Sequence, residues 1–199
     1  MKKFDAELYM QRRKECIDKC FRAFVENGLE NTGVQLLSKY CGFKTNQALY
    51  HYFNCKDQIV IECVDVALRT METEFTKKAP TSRDNLLSYL QEFPKWAADN
   101  YEDEFRLVYQ VYTSPKYKEE GQKFFSGVPE RYDEYAHMVA KNLQVDYETF
   151  RPMVYLYITT MLHYILFRDD TYLKVEIDAL YKIMLMIFDK QDKIDKKES

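Results

Sequence analysis

The amino-acid sequence predicts an all-α protein. Apolar residues recur at steps of three and four along most of the chain, which is the spacing of one face of an α-helix. Only 5 Gly and 5 Pro occur in 199 residues, and no segment alternates apolar and polar side chains as a half-buried strand does. With 46% hydrophobic and 31% charged residues, the chain is expected to form a helical globule of about nine to ten helices.

Two longer helices are predicted in the N-terminal part. The first runs from about Glu7 to Asn27, with one apolar face, and Gly28 supplies its C-terminal stop. Asn54, with Asp57 three residues later, begins the second of these helices, which continues to about Lys78.

Two short helices are predicted between them. Thr32 and Gln35 have the spacing of a capping box at the start of the first, which ends at Gly42, and Thr45 can cap the second. The inward side of the second short helix is assigned to Leu49 and Phe53, and its outward side to Asn46, Gln47, Tyr50 and His51. Two short helices joined by a tight turn form a helix-turn-helix, whose second helix is narrow enough to enter the major groove of DNA.

The C-terminal part is predicted to be a larger helical domain. Pro80 and the polar pair after it mark the boundary. Helices are expected at about 83–99 (bent at Pro94), 102–113, 115–126, 129–143, 147–168 and 172–190. The predicted organisation is therefore a helix-turn-helix domain at 1–56, a linking helix at about 57–78, and a helical domain at 79–199.

Charge and cysteine usage distinguish the two ends of the chain. Residues 1–56 hold 10 Lys/Arg against 6 Asp/Glu, whereas residues 57–199 hold 19 against 26, which favours phosphate binding at the N-terminal end. All 5 cysteines lie in the first third without metal-ligand spacing, so buried apolar thiols are expected. The alternative is a thiol sensor, for which Cys55, at a predicted helix start, is the candidate.

Three segments together resemble the N-terminal domain of the tetracycline-repressor (TetR) family: ECIDKCFRAFVENG from Glu15, TGVQLLSKYCGF from Thr32, and LYHYFNCKD from Leu49. The resemblance covers roughly residues 10–65, and its strongest parts are YHYF and the following Lys-Asp. The stretch between Gly42 and Leu49 is one residue longer than is common in that family.

The resemblance implies a dimeric, ligand-responsive DNA-binding regulator, most often a repressor. Thr32 and Lys56 match positions that often contact the phosphate backbone, and Tyr50 and His51 match an exposed pair that contacts phosphate or bases. The amides of Asn46 and Gln47 could hydrogen-bond adenine. The candidate DNA-binding residues are Thr32, Lys44, Thr45, Asn46, Gln47, Tyr50, His51 and Lys56.

The C-terminal part holds 13 of the 17 Tyr and 7 of the 13 Phe, enough to line a site for an apolar or aromatic small molecule, although a helical core uses such side chains too. The candidate ligand-binding residues are Trp96, Phe105, Tyr109, Tyr112, Tyr155, Met161 and His163. The segment MVYLYITTMLHYILF is apolar nearly all round, so helices 147–168 and 172–190 are expected to pack against a second subunit. Such a homodimer would present two recognition helices to a pseudo-palindromic DNA operator.

Other function classes are disfavoured. Glu134 and His137 have the Glu-x-x-His spacing of a di-iron site, but the sequence has no second copy, and it has no phosphate loop, nucleophile elbow or HExxH motif. We therefore expect no catalysis, no metal and no cofactor. The chain has no apolar run long enough to span a membrane, and a cytoplasmic location is expected. A helical adaptor whose helix-turn-helix binds protein is the remaining alternative.

Overall fold

The computed structural model describes residues 6–198, and all the regular structure within this range is helical. The elements are α1 Ala6–Asn27, α2 Val34–Tyr40, α3 Asn46–Tyr50, α4 Lys56–Lys77, α5 Leu86–Tyr112, a 3-10 turn Pro115–Tyr117, α6 Lys118–Ser126, α7 Val128–Leu143, α8 Tyr147–Phe167 and α9 Asp170–Glu198. The predicted all-α class is confirmed. No helix within residues 6–198 has the length and apolar character needed to cross a membrane.

Helices α1 to α3 pack around a small core at the N-terminal end of α4. Helix α1 contacts both α2 and α4, and α2 contacts α3. Phe24, Leu37, Leu49 and Ile59 contribute one buried side chain from each of the four helices. Packing of these side chains stabilises α3, which is too short to be a stable helix in isolation.

The remaining helices form a larger body around α5 and α8. Helix α8 contacts α5, α7 and α9, and the C-terminal part of α4 contacts α5. Buried side chains such as Leu90, Val111, Phe150 and Ile165 fill the spaces between them. Helix α4 therefore connects the two parts of the molecule, since it packs against the N-terminal helices and against the body.

Helix α5 corresponds to the two helices predicted at 83–99 and 102–113, which are joined across a kink at the predicted division. It is one element, Leu86–Tyr112, interrupted only where Tyr101 has φ −138° and ψ 16°. The Tyr101 ring packs edge-on against Phe75 and Trp96, with ring centroids 5.6 and 5.5 Å apart. The irregularity therefore lies at an anchored aromatic residue, while the buried Pro94 sits within the helix.

Helix α9 extends beyond the predicted 172–190 and reaches Glu198. Polar contacts support its charged end: the Arg83 guanidinium donates to Asp192 Oδ1 at 2.8 Å, and Gln191 donates to Asp195 at 2.8 Å. Arg83 also donates to the carbonyl oxygen of Leu143 at 2.7 Å, so it joins α9 to the end of α7.

Candidate functional site

The turn between α2 and α3 is fixed by backbone geometry and one side-chain pair. Gly42 has φ 78°, a left-handed conformation that glycine adopts without steric cost. The amide of Phe43 donates to Ser38 O at 2.8 Å, which closes the end of α2. The Ser38 hydroxyl donates to Asn46 Oδ1 at 3.1 Å. This contact fixes the start of α3 relative to α2.

The segment 46–53, which comprises α3 and the turn that follows it, has the two faces that the sequence predicts. Leu49 and Phe53 are buried, with 0% and 2% of their surface exposed, whereas Tyr50 is 45% exposed. Lys44, Thr45, Gln47 and His51 are also exposed, and Asn46 is half-buried against Ser38. This segment therefore exposes a polar face, and its opposite, apolar face is packed into the core.

Thr32 has a different role from the one predicted. Helix α2 begins after Gly33 with no side-chain cap, so the capping box does not form. The Thr32 hydroxyl instead donates to Gly28 O at 2.6 Å and to Ala23 O at 3.2 Å. Carbonyl oxygens at a helix end need such donors. Because Thr32 is fully buried, its side chain cannot reach a DNA phosphate.

Lys56 is also engaged within the protein. Its ammonium group donates to Leu29 O at 2.8 Å and lies 6.0 Å from the centre of the Phe24 ring. Desolvation, with the nearby Lys116 charge, lowers the pKa of Lys56. In this arrangement Lys56 joins the start of α4 to the loop after α1, and its contact with a DNA phosphate stays a prediction.

Arg13 and Tyr9, which were not among the predicted site residues, bind the backbone just after α3. Arg13 donates to Tyr52 O at 3.3 Å, forms an ion pair with Glu62, and lies 5.0 Å from the centre of the Phe53 ring. Tyr9 donates to the carbonyl oxygen of His51 at 3.3 Å. These contacts join residues far apart in the chain, so no local sequence pattern could have indicated them.

The cysteines of this region are mostly core residues, as expected. Cys16, Cys20, Cys41 and Cys63 are buried, and the sulfur atoms of Cys20 and Cys41 lie 3.6 Å apart. Burial raises the pKa of Cys63, which disfavours its thiolate. Cys55 is exposed at the N-cap of α4.

The helical body contains a cavity of about 650 Å³, within the usual range for small-molecule sites. Helices α4 to α8 all contribute to its wall. Aromatic rings dominate the lining, which includes Phe75, Tyr89, Phe93, Phe105, Tyr109, Phe124, Tyr132, Tyr135 and Tyr157. This enclosure is the candidate ligand site.

Three predicted ligand residues, Phe105, Tyr109 and Met161, lie in the cavity wall. Two others lie behind it. Trp96 packs against Phe93, with ring centroids 5.3 Å apart, and Tyr112 stacks on the wall residue Phe124 at 4.3 Å. Trp96 and Tyr112 therefore support the wall and do not form it.

The last two predicted ligand residues lie elsewhere. The Tyr155 hydroxyl donates to Asp133 Oδ1, outside the cavity lining. His163 lies against Phe167 and Tyr172, with ring centroids 5.1 and 4.0 Å apart. Side chains on α8 thus point to the cavity, to α7 or to α9, and composition alone does not tell which.

No group of three or more His, Cys, Asp or Glu side chains in the part of the chain described here is placed to hold a metal ion. Of the Glu-x-x-His pair, Glu134 lies in the cavity wall, and His137 stacks on Tyr147 with ring centroids 3.4 Å apart. The two residues therefore have separate surroundings.

The molecule combines a helix-turn-helix with a helical body that encloses a cavity, and solved structures share this architecture. A TetR transcription regulator from Haloarcula marismortui matches with a TM-score of 0.65 and 16% identity, over 87% of this chain and 96% of that one. A TetR-family regulator from Streptomyces coelicolor matches with a TM-score of 0.60 and 14% identity, over 94% and 85%. A TetR-family regulator from Thermus thermophilus matches with a TM-score of 0.56 and 19% identity, over 84% and 97%.

The chain therefore has the fold of TetR-family transcription regulators. No protein-family model and no curated protein matches its sequence. These three proteins are described as transcription regulators.

Proposed function

We propose that this protein is a dimeric, DNA-binding transcription regulator, acting as a repressor that a small molecule in the cavity releases from its operator. The observation that carries the proposal is the exposed polar face of α3. Gln47, Tyr50 and His51 project from a helix whose other side is fixed by Leu49 and Phe53. A helix held in this way can present amide, hydroxyl and imidazole groups to base edges and phosphates.

The distribution of charge also supports DNA binding by this surface. The segment 1–56 carries an excess of positive charge, and Lys44 is exposed in the turn beside α3. Neutralisation of phosphates by such groups provides the sequence-independent part of DNA affinity. The base-contact residues we propose are Asn46 and Gln47, with Lys44, Thr45, Tyr50 and His51 around them.

An uncovered apolar surface on α8 and α9 supports the proposed homodimer. Phe167 is 69% exposed and Met186 is 71% exposed. The exposed large apolar side chains of these helices are Leu156, Phe167, Tyr172, Val175, Ile183, Leu185, Met186 and Ile194. On α9, Tyr172, Val175, Ile183 and Met186 recur at helical spacing along one side, which together with the two exposed side chains of α8 supports a four-helix interface between two copies.

We propose that the effect of ligand binding is transmitted from the cavity to the start of α4. Phe124, in the cavity wall, belongs to α6, and the 3-10 turn just before α6 carries Lys116 and Tyr117. Tyr117 donates to Asp57 Oδ1 at 2.9 Å, and Lys116 forms an ion pair with the same oxygen. A ligand that displaces α6 would thus bias the orientation of α4 and the spacing of the two α3 helices.

DNA binding can be tested with fragments selected from random DNA by the purified protein. Gln47→Ala and Tyr50→Ala should each weaken binding about tenfold, the loss of a good base or phosphate contact. Gln91→Ala, an exposed glutamine on α5, is the matched control. Fluorescence anisotropy across a salt series should show affinity falling steeply with salt.

Loss of binding in both α3 variants but not in the control supports the proposal. Failure to select any DNA, or affinity that is insensitive to salt, would instead favour a protein-binding adaptor. The dimer has its own test by light scattering: Val175→Glu should yield monomers, whereas Val66→Glu, at an exposed valine on α4, should not. A wild-type monomer at micromolar concentration would contradict the proposed dimer.

A further inference from the structure

Three cysteine side chains meet where the end of α2 packs against α1. Cys16 and Cys20 lie four residues apart on α1 and therefore share one face of that helix. Cys41 follows α2 directly, and its sulfur atom lies 3.6 Å from that of Cys20 and 3.7 Å from the carbonyl oxygen of Cys16. The Cys16 thiol also hydrogen-bonds the Cys41 side chain. One thiol at the end of α2 thus faces two thiols from consecutive turns of α1.

Cys41 is the member of this group that a small reagent reaches most easily. It is 8% exposed, whereas Cys16 is 3% and Cys20 is 0% exposed. At the next residue, Gly42, no atom beyond its chain neighbours lies within 4 Å of the position that a Cβ atom would occupy. The core is therefore open to solvent on the side where Cys41 lies.

Hydrogen bonding also favours Cys41 over Cys16 as the nucleophile. The hydrogen bond from Cys16 lowers the pKa of Cys41, although contact with Cys20 and burial raise it overall to about 12. The same hydrogen bond, with burial, raises the pKa of Cys16. A thiolate in this group is therefore better stabilised at Cys41 than at Cys16. Because the thiolate is the reactive form and is scarce at neutral pH, we expect the reaction to be slow.

We propose that Cys41 and Cys20 form a reversible disulfide bond when the protein meets a hydroperoxide, and that this bond weakens DNA binding. The inference rests on the proposed function, because it assigns a second form of control to the same DNA-binding helices. It does not involve the cavity of the helical body.

The reaction is a two-electron oxidation of two thiols. The Cys41 thiolate attacks one peroxide oxygen, the O–O bond breaks, and after protonation the products are a sulfenic acid on Cys41 and one alcohol, or water where the oxidant is hydrogen peroxide. The Cys20 sulfur then attacks the Cys41 sulfur, the S–O bond breaks, and the oxygen leaves as water with the thiol proton. Two thiols and one hydroperoxide thus give one disulfide, one alcohol and one water. Cys20 is the second thiol because its sulfur already contacts that of Cys41.

The disulfide bond would move the end of α2, to which the recognition helix is attached. The bond is about 2.05 Å long, so the two sulfur atoms must approach by about 1.5 Å from their separation of 3.6 Å. The neighbouring side chains are buried and closely packed, so part of this approach must come from the backbone. The same end of α2 fixes α3, since the Phe43 amide donates to Ser38 O and the Ser38 hydroxyl donates to Asn46 Oδ1. A shift of Cys41 toward α1 should therefore misplace the groups that contact base edges.

The cross-link can be tested in the full chain carrying Cys55→Ser, which lacks the exposed thiol and so cannot join two copies through it. The protein is treated with excess hydrogen peroxide, free thiols are alkylated, and tryptic peptides are analysed by mass spectrometry. The three cysteines then lie in separate peptides, 15–19, 20–22 and 40–44. We expect the second and third of these peptides to be cross-linked, and dithiothreitol to separate them.

Operator binding gives the functional measurement. Oxidation should lower affinity at least about tenfold, the loss of one good base contact, and dithiothreitol should restore it. Cys41→Ala should abolish both the cross-link and the loss of affinity, and Cys41→Ser is the second variant if the alanine variant does not fold. Cys63→Ala, at a buried cysteine of α4 whose sulfur donates to Ile17 O at 3.6 Å, is the matched control and should respond as its parent does. Circular dichroism checks that the reduced variants are folded.

A cross-link through Cys16 in place of Cys20, oxidation of Cys41 without a cross-link, or no reaction with excess peroxide would overturn the proposal. So would a cross-linked protein that binds its operator as tightly as the reduced one. These failures are distinguishable from failure of the proposed function. A reduced protein that binds its DNA whether or not peroxide is added contradicts only the control by oxidation, whereas a reduced protein that binds no DNA contradicts the regulator itself.

Discussion

The N-terminal helices and the helical body differ in how completely their interiors are filled. Around α3, the buried side chains Cys20, Phe24, Leu37 and Leu49 have at most 1% of their surface exposed and form a filled core. In the body, large aromatic side chains surround a cavity of about 650 Å³. One region is filled mostly by small and medium side chains, whereas the other retains unfilled space between large ones.

This difference follows from what each region has to hold in place. Groups that contact base edges need a rigid support, because displacements of a fraction of an ångström weaken hydrogen bonds. A cavity for a small molecule requires unfilled volume, and unfilled volume lowers stability. The N-terminal helices are therefore expected to tolerate truncation poorly, and the cavity wall to tolerate it better.

Truncation of one phenylalanine in each region gives the largest expected effect. Phe24→Ala should lower the free energy of unfolding by roughly 3–5 kcal/mol, since it removes a fully buried ring from a filled core. Phe124→Ala should cost less, about 1–2 kcal/mol, because one side of its ring already faces the cavity. Urea denaturation of both variants measures the difference. Equal losses would contradict the contrast between the two regions.

Gly121→Ala sharpens the comparison within the body, where α5 and α6 are in close contact. A Cβ atom at Gly121 would lie 2.3 Å from the carbonyl oxygen of Tyr112, so the backbone of α6 must move. We expect a loss of about 1–3 kcal/mol in unfolding free energy and a changed response of DNA binding to ligand. Gly33→Ala, where no atom lies within 4 Å, should change stability by less than about 0.5 kcal/mol. Similar results for the two variants would contradict the close contact between α5 and α6.

The sequence was sufficient to predict the helix-turn-helix, because its information is local. Gly42, the spacing of Leu49 and Phe53, and the polar residues between them are all found within one short segment. Periodicity and turn chemistry act over such distances. The buried and exposed faces of α3 therefore follow from the order of residues in that segment alone.

The roles of Thr32 and Lys56 could not be predicted in the same way. Both bind carbonyl oxygens of other segments, Gly28 and Leu29, whose positions depend on tertiary packing. The cavity could not be predicted for the same reason, since Phe75 of α4 and Tyr157 of α8 come together only in the folded body. Aromatic composition indicated that a cavity was plausible, but not which rings would face it.

Lys56→Met tests whether this residue belongs to the filled N-terminal core or to the DNA surface. Loss of its hydrogen bond to Leu29 O should lower the free energy of unfolding by about 1 kcal/mol, while the aliphatic part of the side chain is kept. The salt dependence of operator binding should not change, because no phosphate contact is removed. A salt slope reduced by about one, with unchanged stability, would instead place Lys56 against phosphate.

The smallest effect is expected at Asp57, where the N-terminal helices and the body meet. The hydrogen bond from Lys116, together with that from Tyr117, lowers the pKa of Asp57. A carboxylate whose pKa is lowered by folding stabilises the protein above its unfolded pKa, roughly 4, and this contribution is lost as the pH falls through the folded value. Because Asp57 and Lys116 are about half exposed, Asp57→Asn should cost no more than about 0.5 kcal/mol at pH 7.

That cost should shrink toward zero as the pH falls through the lowered pKa of the folded protein, where the wild-type carboxyl group becomes protonated and resembles the asparagine. Unfolding free energies of the wild type and the variant, measured at neutral and at acidic pH, give the difference directly. Asp84→Asn, at an exposed aspartate outside this cluster, controls for the general loss of one negative charge. A cost that is the same at both pH values would mean that the Asp57 charge does not link the two regions, and the route from the cavity to α4 would then depend on packing alone.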